Sequence, residues 1–170
     1  MNKVLGIVMG LSLATPAAAE PANLLGVFGN WTAYSSGTGS SLTCYALSKP
    51  RASRPTTAKR SAVYLMVSDW PSRKVKGEAQ VVYGYQAKEG GAAALGVGAD
   101  KFTFFIRNNG KEGSAWLQQL GDNARLITAM QEGVSAVASG VSTKGTKTSD
   151  TYSLSGFKDA LEKVHAVCQM

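Results

Sequence analysis

Hydrophobic and polar positions along the chain alternate mostly with the two-residue period of half-buried strands. Trp31-Thr32-Ala33-Tyr34 and residues 42–47 flank a Gly/Ser stretch, 35–41, that supplies turn residues tolerant of positive backbone angles, which predicts a hairpin. Residues 62–68 (AVYLMVS) and 78–86 (EAQVVYGYQ) are compact apolar runs and predict two further strands. Residues 101–107 (KFTFFIR) lead into Asn108-Asn109-Gly110, a hairpin signal, with 114–118 pairing back. Strands are also expected over 134–142 and 148–154. Between them, 122–132 reads as a short helix, with Asp122 as N-cap, Ile127 and Met130 three apart and Gly133 as the stop. A last helix is expected from Ser155, because Phe157, Ala160, Leu161 and Val164 follow the i, i+3, i+4, i+7 spacing of a buried stripe that Cys168 extends. Seven or so strands with two short helices make a mainly β chain and point to a β-sandwich.

The start of the chain has a different pattern. Lys3, a short apolar run over 4–13 and Ala17-Ala18-Ala19 form the three parts of a secretory signal. The expected division is a signal peptide at 1–19, a flexible lead-in at 20–27 and one domain at 28–170. No cysteine follows the small residues to take a lipid, and no later apolar run is long enough to span a membrane. The expected location is periplasmic, or secreted and envelope-associated.

That location changes the reading of the two cysteines. An even pair in an exported chain reads as one disulfide, Cys44 to Cys168. CxxC spacing is absent, and two thiols with a single histidine fall short of a zinc site, so no metal or other cofactor is expected.

Charge is placed unevenly. Between Glu20 and Lys76 there are eight bases, Lys49, Arg51, Arg54, Lys59, Arg60, Arg73, Lys74 and Lys76, against two acids, Glu20 and Asp69. The remainder of the chain carries nine of each. Five cations over 49–60, in a proline-containing segment expected to be a loop, would concentrate anionic partners. Anionic lipid headgroups, acidic glycans or an envelope protein are the candidate partners. Nucleic acid is not expected, because the chain is exported and no aromatic residues are interleaved with these cations.

Catalytic motifs are sparse. GxSxG is absent. Ser155-Gly156-Phe157-Lys158 matches SxxK, but the accompanying SDN and KTG sequences are missing and Ser155 is expected to cap the last helix. His165 is expected on the polar face of that helix, near its C-terminal dipole. Glu78 and Asp150 are expected to pair with Lys or Arg. Tyr64, Tyr83, Tyr85, Phe102, Phe104 and Phe105 are expected mainly as core and cross-strand pairs, with a stacking platform for sugars or bases as the alternative.

Several blocks together resemble a known family. Trp31, CYALSKP at 44–50, YLMVSDWP at 64–71, Gly84-Tyr85, Ala115-Trp116 and STKGTKTSDTYSLSGF at 142–157, followed by Ala160 and Cys168, are similar to the invasion-associated locus B (IalB) family of alphaproteobacterial exported proteins. The resemblance implies an immunoglobulin-like β-sandwich and an envelope or secreted location. The family is named for host-cell invasion and has no established enzymatic activity or catalytic residues. Many members carry a cysteine four residues after the tryptophan, where this chain has Ser35, so a local second disulfide is not expected and Cys44 is left to pair with Cys168. The resulting expectation is a non-enzymatic envelope binding domain. The alternative is a small periplasmic hydrolase or sugar-active enzyme, which would need His165, Ser155 and an acid gathered in one pocket.

Overall fold

The structure, a computed structural model, describes residues 21–170. The expected signal peptide, 1–19, lies outside the described residues. Strands β1 (Asn23–Phe28), β2 (Trp31–Ser36), β3 (Thr43–Ser48), β4 (Ala52–Arg54), β5 (Tyr64–Trp70), β6 (Val75–Val82), β7 (Ala94–Val97), β8 (Asp100–Asn109) and β9 (Glu112–Leu117) precede helix α1 (Asn123–Glu132). Strands β10 (Ser135–Val141) and β11 (Lys147–Ser153) and helix α2 (Phe157–Cys168) complete the chain. The mainly β class, the two helices and the C-terminal position of the second are as the sequence predicts.

Three strands were not anticipated. Most of the lead-in expected to be flexible is strand β1, which pairs antiparallel with β2 from Asn23–Ser35 to Phe28–Trp31 across an irregularity at Leu24 and Gly26. Within the expected loop at 50–60, Ala52–Arg54 pair with Ser149–Thr151 as β4. Residues 90–98, rich in Ala and Gly, hold β7, between β8 and β10.

All neighbours are antiparallel, in the order β1-β2-β3-β5-β6-β9-β8-β7-β10-β11-β4. Rather than two separate sheets, the strands form one ribbon with two arms, because β8 serves both. Its Asp100–Thr103 half pairs with β7 and its Phe104–Asn109 half with β9. Phe102, Phe104 and Ile106 are buried while the alternate residues of this strand face outward. Both arms contribute to one buried core, with Trp31, Leu65 and Val67 from the first and Leu95, Ala136 and Tyr152 from the second. Trp31 Nε1 donates to the Ser153 carbonyl at 2.9 Å and Tyr83 Oη to the Ser139 carbonyl at 2.9 Å, so hydrogen bonds also tie the arms together.

Helix α2 packs against β1, β2, β3 and β5. Phe157, Ala160, Leu161, Val164 and Cys168 are all buried, which is the predicted stripe. Cys44 and Cys168 form a disulfide that fixes the helix end to β3, and Ser35 is the cross-strand partner of Cys44. The predicted start of α2 needs correction. The cap of α2 is Gly156 at φ 86°, not Ser155, whose carbonyl instead accepts the Asn30 N–H at 3.0 Å. Asp122 is the N-cap residue of α1, as predicted, although its side chain makes no cap bond and pairs instead with Arg125 at 3.3 Å. The buried residues of α1 are Leu126 and Met130, with Ile127 partly buried.

Gly156 is required on two counts, since its backbone is left-handed and a Cβ there would overlap the Phe28 carbonyl. Gly156→Ala should therefore destabilise the domain by about 2–3 kcal/mol. Urea unfolding measures this, and a loss below about 0.5 kcal/mol would show that the β1–β2 turn gives way freely.

Candidate functional site

The basic run does not fold into one patch. Lys49, Arg51 and Arg54 are exposed around β4, the terminal strand of the second arm. Lys59 and Arg60 precede β5, whereas Arg73, Lys74 and Lys76 follow it. A seven-residue strand spans about 20 Å, so the two cation groups lie at opposite ends of β5.

Lys59 and Arg60 instead join residues remote in sequence around a cleft of about 800 Å³. Its other cations are Lys111, from the β8–β9 turn, and Lys144, from the β10–β11 turn. Ser61, Tyr85, Ser142, Thr143, Thr146 and Thr148 supply hydroxyls, and no carboxylate among the described residues lines the walls. Backbone bonds set these segments against one another. Ser61 N–H donates to the Gly84 carbonyl at 2.8 Å and Thr143 N–H to the Gln86 carbonyl at 3.0 Å. Gly84 is at φ 66°, and a Cβ there would come within 2.6 Å of the Ser61 carbonyl oxygen, so a side chain would push this wall apart. Tyr85 Oη and Thr148 Oγ1 share a 2.6 Å hydrogen bond across the arms.

Arg60 is the anchor of the cleft rather than a free cation. Its guanidinium makes a forked pair with Asp150, including a 2.8 Å bond from one nitrogen to Oδ2, and Ser53 Oγ donates to Oδ1 at 2.6 Å. The side chains of Arg60 and Asp150 are 6% and 0% exposed. The hydrogen bond to Asp150 raises the guanidinium above its ordinary pKa, against the opposing effect of burial. Arg60 also lies over the Tyr85 ring, 5.9 Å from its centroid. Burial pushes the Tyr85 hydroxyl upward, so it stays protonated and can donate. Lys59, Lys111 and Lys144, by contrast, are exposed and have no ion pair among the described residues. Three free ammonium groups beside hydroxyl donors can bind an oxyanion through charge-assisted hydrogen bonds. Lys111 and Lys144 escape a search for charge runs, because each sits alone in a part of the chain where acids balance bases.

The other candidates are dispersed. His165 Nδ1 lies 2.6 Å from Oδ2 of the buried Asp69, whose Oδ1 accepts the Gly77 N–H at 2.8 Å. His165 therefore has a carboxylate partner, which the polar-face reading missed. Ser155 precedes the other end of α2, ten residues away, a rise of about 15 Å along a helix, so Ser155 and His165 do not share a site. Asp150 is paired with Arg60 as expected, and Glu78 accepts Trp70 Nε1 at 3.1 Å and lies 4.0 Å from Arg73. Tyr83, Phe102 and Phe104 are core residues, Tyr64 and Tyr85 are half-buried, and Phe105 is 40% exposed.

Comparison with known proteins agrees with this architecture. The family model described as invasion associated locus B (IalB) protein matches residues 31–165. The crystal structure of invasion associated protein b from Bartonella henselae superposes with a TM-score of 0.57 at 14% sequence identity, covering 85% of this chain and 98% of that one. At that identity the likeness concerns the fold. No curated protein matches by sequence. The match spans all the described elements from β2 to within α2, and the chain belongs to the invasion-associated locus B family.

Proposed function

We propose that this chain is an exported, non-enzymatic binding domain of the cell envelope that captures oxyanion groups in the Lys59–Lys111–Lys144 cleft. The observation that carries the reading is the convergence of three unpaired lysines and six hydroxyls from separate segments on walls free of carboxylates. The three-part N-terminal signal and the Cys44–Cys168 disulfide support an oxidising, extracytoplasmic destination. No helix among the described residues is long and apolar enough to cross a membrane. The ligand class is phosphate, sulfate or carboxylate displayed on envelope lipids or acidic glycans. The invasion role in the structural relative's name extends to this chain as contact with such a surface.

The test is retention of the mature protein on vesicles containing phosphatidylglycerol and on a sulfated polysaccharide, at low and high salt. Each lysine near an anionic surface contributes about 1 kcal/mol, so the triple variant K59Q/K111Q/K144Q should bind the vesicles about 100-fold more weakly at low salt. The variant K49Q/R51Q/R54Q, altered around β4, should bind like the parent. Loss confined to the second variant would move the site to the sheet edge, and equal retention of all three proteins would refute anion capture by the cleft.

A further inference from the structure

A second concavity, of about 920 Å³, lies on the outward face of the first arm and has a different chemistry. The strand register builds it. Gln80 pairs with Trp116 across β6 and β9, and Trp116 pairs with Phe105 across β9 and β8, so the three side chains form one row on the outer face. The Phe105 and Trp116 rings stack with centroids 5.9 Å apart and planes 28° apart. Trp70 lines the same groove from the end of β5, held by the bond from its Nε1 to Glu78. Cations flank the rings, with the Arg73 guanidinium 5.2 Å from the Trp70 centroid and that of Arg107 5.9 Å from the Phe105 centroid. Lys76 adds a third positive charge, and Gln80 and Gln118 present amides. The one acid among the described lining residues, Glu78, is already engaged by Trp70 and Arg73.

We infer that this groove is a binding site for an acidic oligosaccharide, in which pyranose rings lie on Trp116 and Phe105 and their carboxylates pair with Arg107 and Lys76. The apolar C–H face of a pyranose matches an aromatic ring, its hydroxyls match amide side chains, and a uronate carboxylate matches a guanidinium. Charge decides between acidic and neutral sugars, because Arg73 offsets Glu78 while Arg107 and Lys76 remain without a carboxylate partner among the described residues. Curvature argues against a lipid surface, since a bilayer cannot enter a groove between aromatic side chains. Stacking rings with cations would also suit single-stranded nucleic acid, but the disulfide places the chain where such ligands are scarce. Trp70 lines an adjoining concavity of about 350 Å³ as well, with Tyr45 and Tyr64, so the aromatic track continues toward β3 and fits a chain of several sugars. The inference uses residues separate from the lysine cleft and does not depend on it.

The test is titration of the mature protein with a galacturonate hexasaccharide, followed by tryptophan fluorescence. Trp70 and Trp116 line the groove, whereas Trp31 is fully buried, so the signal reports this face. The uronate should bind about tenfold more tightly than a neutral glucose hexasaccharide. Phe105→Ala and Arg107→Gln should each weaken it about tenfold. Both residues are exposed, and unchanged thermal melting of the variants confirms an intact fold. K59Q/K111Q/K144Q should keep the parent's fluorescence response to the uronate, because no tryptophan lines the lysine cleft, and loss of that response in the variant would assign the ligand to the cleft. Equal affinity for the neutral sugar, indifference to both groove substitutions, absence of uronate binding, or tighter binding of oligothymidylate or an acidic peptide would each overturn the inference.

Discussion

Replacing Cys44 and Cys168 together by serine should lower the stability of the domain by about 4–5 kcal/mol. The bridged residues are 124 apart in sequence, and cutting a tie of that span releases a large share of the unfolded chain's conformational freedom. Both sulfurs lie in the core, at 0% and 3% exposure, so serine also leaves polar hydroxyls where none is accommodated. The remaining α2 contacts, the Phe157–Trp31 ring pair at 4.7 Å and the His165–Asp69 contact, keep the helix docked in the variant. The expected result is therefore a cooperative but weaker fold, with Tm lowered by about 8–20 °C. Urea unfolding of the double variant, compared with the parent in the presence of reductant, measures it. Agreement between the two would attribute the loss to the crosslink, and a loss below about 1 kcal/mol would show that the crosslink adds little beyond this packing.

Asp150→Ala should cost about 3–5 kcal/mol. Asp150 is fully buried and receives two guanidinium nitrogens of Arg60 and the Ser53 hydroxyl, so its removal leaves a nearly buried cation without a counter-charge. The loss measures that orphaned charge rather than the worth of the pair, because burying both ions already required their desolvation. The double replacement R60M/D150L should consequently recover most of the stability. Chemical denaturation of both variants tests this, and a single variant as stable as the parent would mean that Arg60 turns to solvent at no cost. The same change bears on the cleft. Freed of its carboxylate, Arg60 adds a fourth uncompensated cation beside Lys59, Lys111 and Lys144, so folded Asp150→Ala protein should bind anions more tightly than the parent.

The strands and helices that could be read from the chain are those whose own residues create the pattern. In β8, Phe102, Phe104 and Ile106 alternate with residues facing outward, and in α2 five apolar residues share one helical face. Strands β1, β4 and β7 lack such a signature. β1 and β4 are the two edges of the ribbon, each with a strand partner on one side only, and β4 is three residues long between Pro50 and Pro55. β7 is Ala-Leu-Gly-Val, weak in strand propensity, and it is extended because β8 and β10 hold it from both sides.

The candidate sites follow the same division. Local sequence carries the class of fold, the buried stripe of α2 and, on the proposal that the chain is exported, the pairing of Cys44 with Cys168. Each rests on neighbouring residues or on that proposed compartment, so no knowledge of long-range contacts is needed. The separation of Arg60 from Arg73 along β5, the burial of Arg60 against Asp150 and the arrival of Lys111 and Lys144 beside Lys59 came from the folded chain alone. So did the row of Gln80, Trp116 and Phe105, which depends on the registers of three strands. Charge and aromatic faces act through space, and distance in space is set by strand order and register rather than by proximity along the chain.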